Sequence, residues 1–247
     1  GKLLAQGETP LVIQEYKIPE WVKRARLFWQ SSWGSTPPFW RSIQKMQEIL
    51  YSFADKGATV VDNQCAQDYL NSAPPSYPLV RDFSPLTETC RDLGMKYIWY
   101  QTSCTASEYF YYQHRDWWTT TPFYTCGWLS VPPGCPKWSD CLGDDLGDLV
   151  SRAGIDGVML DNACAIPPVS GKEAVIKEYE KIAEHLCRVR EGIKIKKPLG
   201  ALIPNFNSFG KGLEIASRGW DGQIIEGGYA CSLENARGKG MCVRDFI

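Results

Sequence analysis

Residues 153–163 read AGIDGVMLDNA, and the punctuation of this stretch decides the fold. Ala153-Gly154 stops a segment of helical periodicity over 139–153, residues 157–160 (GVML) form a short apolar run, and Asp161 closes it. A run that is continuous rather than alternating suits a strand covered on both faces. Working outward, the same unit recurs. Residues 26–31 (RLFWQS) precede a segment, 39–54, in which Ile43, Met46, Ile49, Leu50 and Phe53 fall at helical spacing. Lys56-Gly57 ends that helix, and 58–61 (ATVV) closes on Asp62. A helix over 84–93, stopped by Gly94, leads to 96–100 (KYIWY) and Gln101. Downstream, a regular helix over 172–190 delivers 199–203 (LGALI) and Asn205. A short one over 212–218 delivers 222–225 (GQII) and Glu226.

Strands alternating with helices imply parallel pairing with helices on both faces, an α/β fold. An open doubly wound sheet and a TIM-type (β/α)8 barrel both satisfy that pattern. The doubly wound nucleotide-binding form wants a glycine-rich turn after its first strand, and Gly34-Ser35-Thr36-Pro37-Pro38 is not one. Polar or acidic residues stand instead at most strand ends: Gln30, Asp62, Gln101, Asp161, Asn205 and Glu226. A barrel assembles its site from such ends, so the barrel is favoured. The expected organisation is one domain over 1–247 with an N-terminal extension, 1–24. Only six strands can be counted before Ile247, so the barrel is expected to be incomplete or abbreviated at its C-terminal end.

Twenty-seven Lys and Arg against 28 Asp and Glu leave a net charge of −1, which gives no footprint for nucleic acid or an anionic membrane. The uncharged stretch 119–136 is broken by Pro, Gly, Thr and Cys, so no transmembrane segment is expected. Residues 1–10 lack an apolar signal core and read as the start of a mature chain, with the signal peptide absent. Ten cysteines with no C-x-x-C pair argue against zinc ribbons and dithiol redox chemistry. With two histidines, no metal site and no cofactor are expected. Cys104, Cys126, Cys135 and Cys141 crowd around one aromatic, proline-rich stretch, which predicts a disulfide-stapled loop after the third strand and an extracellular or cell-surface location. Cys90 and Cys187 fall inside predicted helices and read as buried thiols.

Asp161 alone reads equally well as a turn former. Glu226, at the end of a second strand and followed by two glycines, changes the balance. Two carboxylates at one mouth are what glycoside hydrolysis needs, one giving a proton to the leaving oxygen and one attacking or activating water. Aromatic residues concentrated in the N-terminal half, Trp29, Trp33, Trp40, Trp99, Tyr100, Trp117, Trp118 and Trp128 among them, suit a sugar ligand, and half of the tryptophans are expected in the core instead. Trp29, Asp62, Tyr100, Gln101, His114, Asn162, Asn205 and Asn207 are the candidate substrate-binding residues. His185, among charges on the long helix, reads as a surface residue, and the acidic run 140–148 as a solvated helix face.

Three blocks carry a family resemblance. Residues 81–99, RDFSPLTETCRDLGMKYIW, resemble a helix–strand unit of barrel glycoside hydrolases related to α-fucosidases. Residues 113–117, QHRDW, are similar to the HPDW that follows that strand there. Residues 154–163 resemble the fourth-strand motif GvDGvflDn, and more distantly the GvDGfRlDa of α-amylases. The resemblance implies a (β/α)8 barrel with its nucleophile at Asp161, and an acid/base at Glu226 in the sixth-strand position of the α-galactosidase-like clan. Met159 replaces the arginine of the α-amylase motif, and Asn205 stands where α-amylases carry their fifth-strand acid. The expected activity is hydrolysis of an extracellular oligo- or polysaccharide. The alternative is a non-catalytic barrel module that binds glycan or builds an extracellular assembly.

Overall fold

A computed structural model describes residues 16–25, 28–30, 43–62, 84–103, 105–106, 108–118, 123–125, 128–130, 134–161, 163, 169–206 and 211–224. The described chain runs α1 (Glu20–Arg24), β1 (Phe28–Gln30), α2 (Ile43–Asp55), β2 (Val60–Asp62), α3 (Ser84–Asp92) and β3 (Lys96–Thr102). It continues through β4 (Thr105–Ala106), α4 (Glu108–Gln113), β5 (Phe123–Thr125), β6 (Trp128–Ser130), α5 (Pro136–Arg152) and β7 (Gly157–Asp161). Last come α6 (Lys172–Lys196), β8 (Ala201–Pro204) and α7 (Lys211–Ala216).

One device ends helix and starts strand twice over. Gly57 and Gly94 adopt φ of 83° and 71°, a left-handed conformation that costs glycine no Cβ clash. At each, the glycine N–H bonds three residues back and the next N–H five back: Gly57 to Ala54 and Ala58 to Phe53, then Gly94 to Arg91 and Met95 to Cys90. These pairs satisfy helix-end carbonyls and turn the chain into β2 and β3.

β1, β2, β3, β7 and β8 pair in that order, every pair parallel. Each new strand therefore joins the same advancing edge. A doubly wound sheet would reverse direction from its first strand, so the order is that of a barrel wall. The segment after α7 continues it: Ile224 bridges Asn205 in parallel, and Asp221 N–H bonds Leu202 C=O at 2.9 Å. The predicted sixth strand is thus seated beside the fifth as far as Ile224. The insertion after β3 carries a small antiparallel sheet of order β4-β6-β5, which no sequence pattern announces.

The expected disulfide staple is corrected at two of its four cysteines. Cys135 and Cys141 are free thiols, and Cys104 and Cys126 lie outside the described residues. Cys135 Sγ instead donates to Trp117 C=O at 3.0 Å. Cys90 and Cys187 are buried thiols, as their helical positions suggested. No helix among the described residues is long and apolar enough to cross a membrane.

α5 and α6 run side by side with backbones in contact. A Cβ on Gly192 would lie 2.3 Å from the Gly143 carbonyl carbon, and one on Gly147 would lie 2.5 Å from Gly192 O. Gly192→Ala sets two effects in opposition. Alanine gains ~1 kcal/mol of helix propensity, whereas overpacking costs ~1–3 kcal/mol, with a rigid backbone as the obstacle placing it at the upper end. A net loss of about 2 kcal/mol is expected in urea unfolding; an equally stable variant would show that the helices part freely.

Candidate active site

Side chains alternate across a strand, so each strand sends every second residue inward. Val60, Ile98, Tyr100, Met159, Ala201 and Ile203 form one buried cluster, the barrel interior. Val61, Tyr97, Trp99, Val158, Leu160 and Leu202 belong to the larger cluster under the helices. Trp21 and Val22 of α1 pack on the inner cluster, and Trp21 Nε1 donates to Leu199 C=O, just ahead of β8. α1 thus packs against the end of the interior opposite Asp161.

Continuing the alternation brings Asp62, Thr102, Asp161 and Asn205 to the inner face at the carboxyl edge. Thr102 is the register partner of Asp161. Asp161 is half-buried and held at both carboxylate oxygens. Tyr100 Oη donates to its Oδ2 at 2.5 Å, and Asn205 Nδ2 to its Oδ1 at 2.8 Å. Bonds of this length to an ionised acceptor are charge-assisted and about twice as strong as neutral ones. They fix the carboxylate plane.

The other sequence candidates divide. Asp62 is fully buried at the end of β2, beside Ile98 of β3. Gln101 has the parity of Tyr97 and Trp99, so the pleat turns it toward the helices, away from Asp161; it is buried there. Tyr100 and Asn205, expected as sugar ligands, each donate a side-chain hydrogen bond to Asp161. His114 stacks on Trp117 with ring centroids 4.1 Å apart, and its neighbour Asp116 faces Lys137 at 3.6 Å. Trp29 is placed by its backbone in β1. Glu226, Asn162 and Asn207 lie outside the described residues. Trp99, Trp118, Trp138 and Trp220 are buried, which accounts for part of the aromatic excess as core. Among the described residues, no three His, Cys, Asp or Glu side chains gather as a metal set.

His185 is the clearest correction: it is buried, not on the surface. Its spacing carried the signal, since Ile182, Leu186, Val189 and Ile193 mark the inward stripe of α6 and His185 lies within it. Nε2 lies 2.9 Å from Ser103 Oγ and Nδ1 lies 2.8 Å from Ser139 Oγ. Burial pushes the imidazole pKa down to about 4, so the ring is neutral near pH 7. The acidic run is solvated as expected at Asp140 and Asp144, with Asp140 paired to Arg188.

No known protein-family profile matches this chain, and no curated protein sequence does. Solved structures do resemble it. The noncanonic maltogenic α-amylase AmyB from Thermotoga neapolitana aligns with a TM-score of 0.58 at 11% identity, over 86% of this chain and 52% of its own. A cycloisomaltooligosaccharide glucanotransferase from Paenibacillus sp. aligns at 0.56 and 10% identity, over 81% and 32%. The GH36 α-galactosidase AgaA from Geobacillus stearothermophilus aligns at 0.52 and 16% identity, over 73% and 28%. The chain therefore spans about half or less of each of these proteins. At such identities the likeness speaks to architecture, and the chain has the fold of (β/α)8 glycoside hydrolase barrels.

Proposed function

We propose that this chain is a glycoside hydrolase in which Asp161 serves as nucleophile or base and Glu226 as general acid. The observation that carries the reading is the grip on Asp161. A half-buried carboxylate at the carboxyl edge of a barrel wall, bonded at each oxygen, is held in one orientation. Such a group suits stabilisation of the positive charge that develops at a sugar's anomeric carbon. Asn205, whose amide holds Asp161, neighbours Ile224, two residues before Glu226. In this reading the Glu226 carboxylic acid gives its proton to the departing oxygen. An oligo- or polysaccharide is the proposed substrate, and secretion the proposed setting.

The chain is expected to release 4-nitrophenol from at least one of three probes, the 4-nitrophenyl α-galactoside, α-glucoside and α-fucoside. Glu226→Gln gives the sharper test. A general acid matters when the leaving group is basic and little when it is not. Glu226→Gln should therefore slow cleavage of a natural disaccharide by on the order of 10²–10⁴-fold, while a 2,4-dinitrophenyl glycoside keeps most of its rate. Equal losses on both substrates would remove Glu226 from that role. Binding of an oligosaccharide with no turnover of any probe would establish the non-catalytic module instead.

A further inference from the structure

We propose that His185 is a positioning residue for Asp161, acting through Ser103 from the helix-facing side of the sheet. The inference rests on reading Asp161 as the reacting carboxylate. Ser103 follows Thr102, the register partner of Asp161, and its N–H donates to Asp161 C=O at 2.8 Å. The Ser103 carbonyl accepts from Trp138 Nε1 at 3.2 Å. The Ser103 hydroxyl meets His185 Nε2 at 2.9 Å. One residue is thus tied to β7, α5 and α6 at three different atoms.

The direction of each bond can be assigned. Ser139 has one hydroxyl proton, and it goes to Cys135 C=O at 3.0 Å. The Ser139 oxygen therefore accepts from His185 Nδ1–H, which leaves Nε2 to accept the Ser103 proton. The chain runs Ser103 to His185 to Ser139 to Cys135, with every donor matched. Ser103, Ser139 and His185 are 0%, 1% and 3% exposed, so water cannot substitute for any member in this conformation. A buried polar chain is costly wherever one link is missing and rigid where all are made. Here its free end grips the backbone of the residue whose carboxylate Tyr100 and Asn205 hold. A reacting group displaced by about 1 Å can lose ~10²-fold in rate, so a fixed Asp161 backbone has catalytic weight.

The test uses His185→Leu and Ser103→Ala, the second cutting the same link by one oxygen atom should the first fail to fold. Hydrogen exchange at the Ser103 amide is expected to quicken at least tenfold in each, with the Val61 amide of β2 unchanged. On whichever 4-nitrophenyl glycoside the wild type cleaves, kcat should fall roughly 10–100-fold with KM within threefold. In an Asp161→Asn background neither change should lower the residual rate further, because no carboxylate remains to be positioned. Unchanged Ser103 exchange, unchanged kcat, or equal losses in both backgrounds would each overturn the proposal. A wild type inactive on all three glycosides, or an Asp161→Asn variant as fast as wild type, would instead overturn the parent reading, and Ser103 exchange would still decide the mechanical link.

Discussion

Asp161→Asn is expected to slow glycoside cleavage by on the order of 10³–10⁴-fold while leaving the fold intact, a barrier increase of about 4–5.5 kcal/mol. The geometry explains why the substitution is clean. An asparagine can turn its carbonyl toward Asn205 Nδ2 and its amide toward Tyr100 Oη, which can rotate its proton and accept. Both 2.8 Å and 2.5 Å contacts then have a donor and an acceptor, and only the negative charge is lost. That charge is what an oxocarbenium-like transition state draws on, whether Asp161 attacks or activates water. Tyr100→Phe removes one charge-assisted bond, worth ~1.5–3 kcal/mol, and should cost about 10–100-fold through the same carboxylate. Initial rates on the cleaved 4-nitrophenyl glycoside, with urea unfolding as the control, decide it. Asp161→Asn turnover within tenfold of wild type would remove Asp161 from the chemistry.

Much of this site is legible from strand ends, because in a parallel barrel wall the carboxyl ends converge whatever the details of each strand. GIDGVMLD even separates two roles. Asp156, at the start of β7, pairs with Lys96 at 2.9 Å and accepts from Tyr97 N–H, tying β3 to β7, while Asp161 ends the strand at the mouth. Facing direction is where pattern reading stops. KYIWYQT is apolar on both sides because both sides are buried, so periodicity cannot say whether Tyr100 or Gln101 looks inward. Register settles it: Tyr100 opposes Met159, an interior residue.

The cysteines and His185 mislead for related reasons. Crowding in sequence suggested a staple, yet Cys135 is turned toward Trp117 and Cys141 lies a turn and a half into α5. Proximity along the chain says little about which way a thiol faces once a helix begins between the two. His185 has charged neighbours in sequence, Glu184 and Arg188, but these lie on the outer side of α6, where they pair with one another at 2.9 Å. The inner side of the same helix carries polar residues that have partners on other elements, and those partners are far away in sequence.

Asp221 is the most consequential of those partners, and Asp221→Ala is expected to cost about 3–5 kcal/mol of stability. Its carboxylate is fully buried and accepts from Arg190 Nη2 at 2.7 Å, lies 3.2 Å from Lys194 Nζ, and takes the Leu202 N–H at 3.0 Å. Arg190 and Lys194 are themselves 8% and 1% exposed at the side chain, so removing Asp221 strands two cations and an amide in the interior. Arg190 keeps a bond to Tyr16 C=O and stacks over the Tyr16 ring, but neither supplies charge. Burial already holds the Lys194 pKa below its ordinary value against the pull of Asp221. Without that carboxylate the Lys194 pKa is expected to fall further, since the two influences that raise it both come from Asp221. Against a total stability of roughly 5–15 kcal/mol, such a loss brings much of the population to the edge of unfolding. It also reaches the site, since Asp221 opens the segment that pairs with β8 and leads to Ile224 and Glu226. Replacing all three together, Asp221→Leu with Arg190→Met and Lys194→Met, should recover most of the loss, because a buried ionic cluster gains little over apolar packing of similar volume. Urea unfolding of the single and triple variants separates the two statements. A single variant within 1 kcal/mol of wild type would mean that the cations find other partners, and a triple variant as weak as the single would mean that the Leu202 amide, not the charge, is what Asp221 secures.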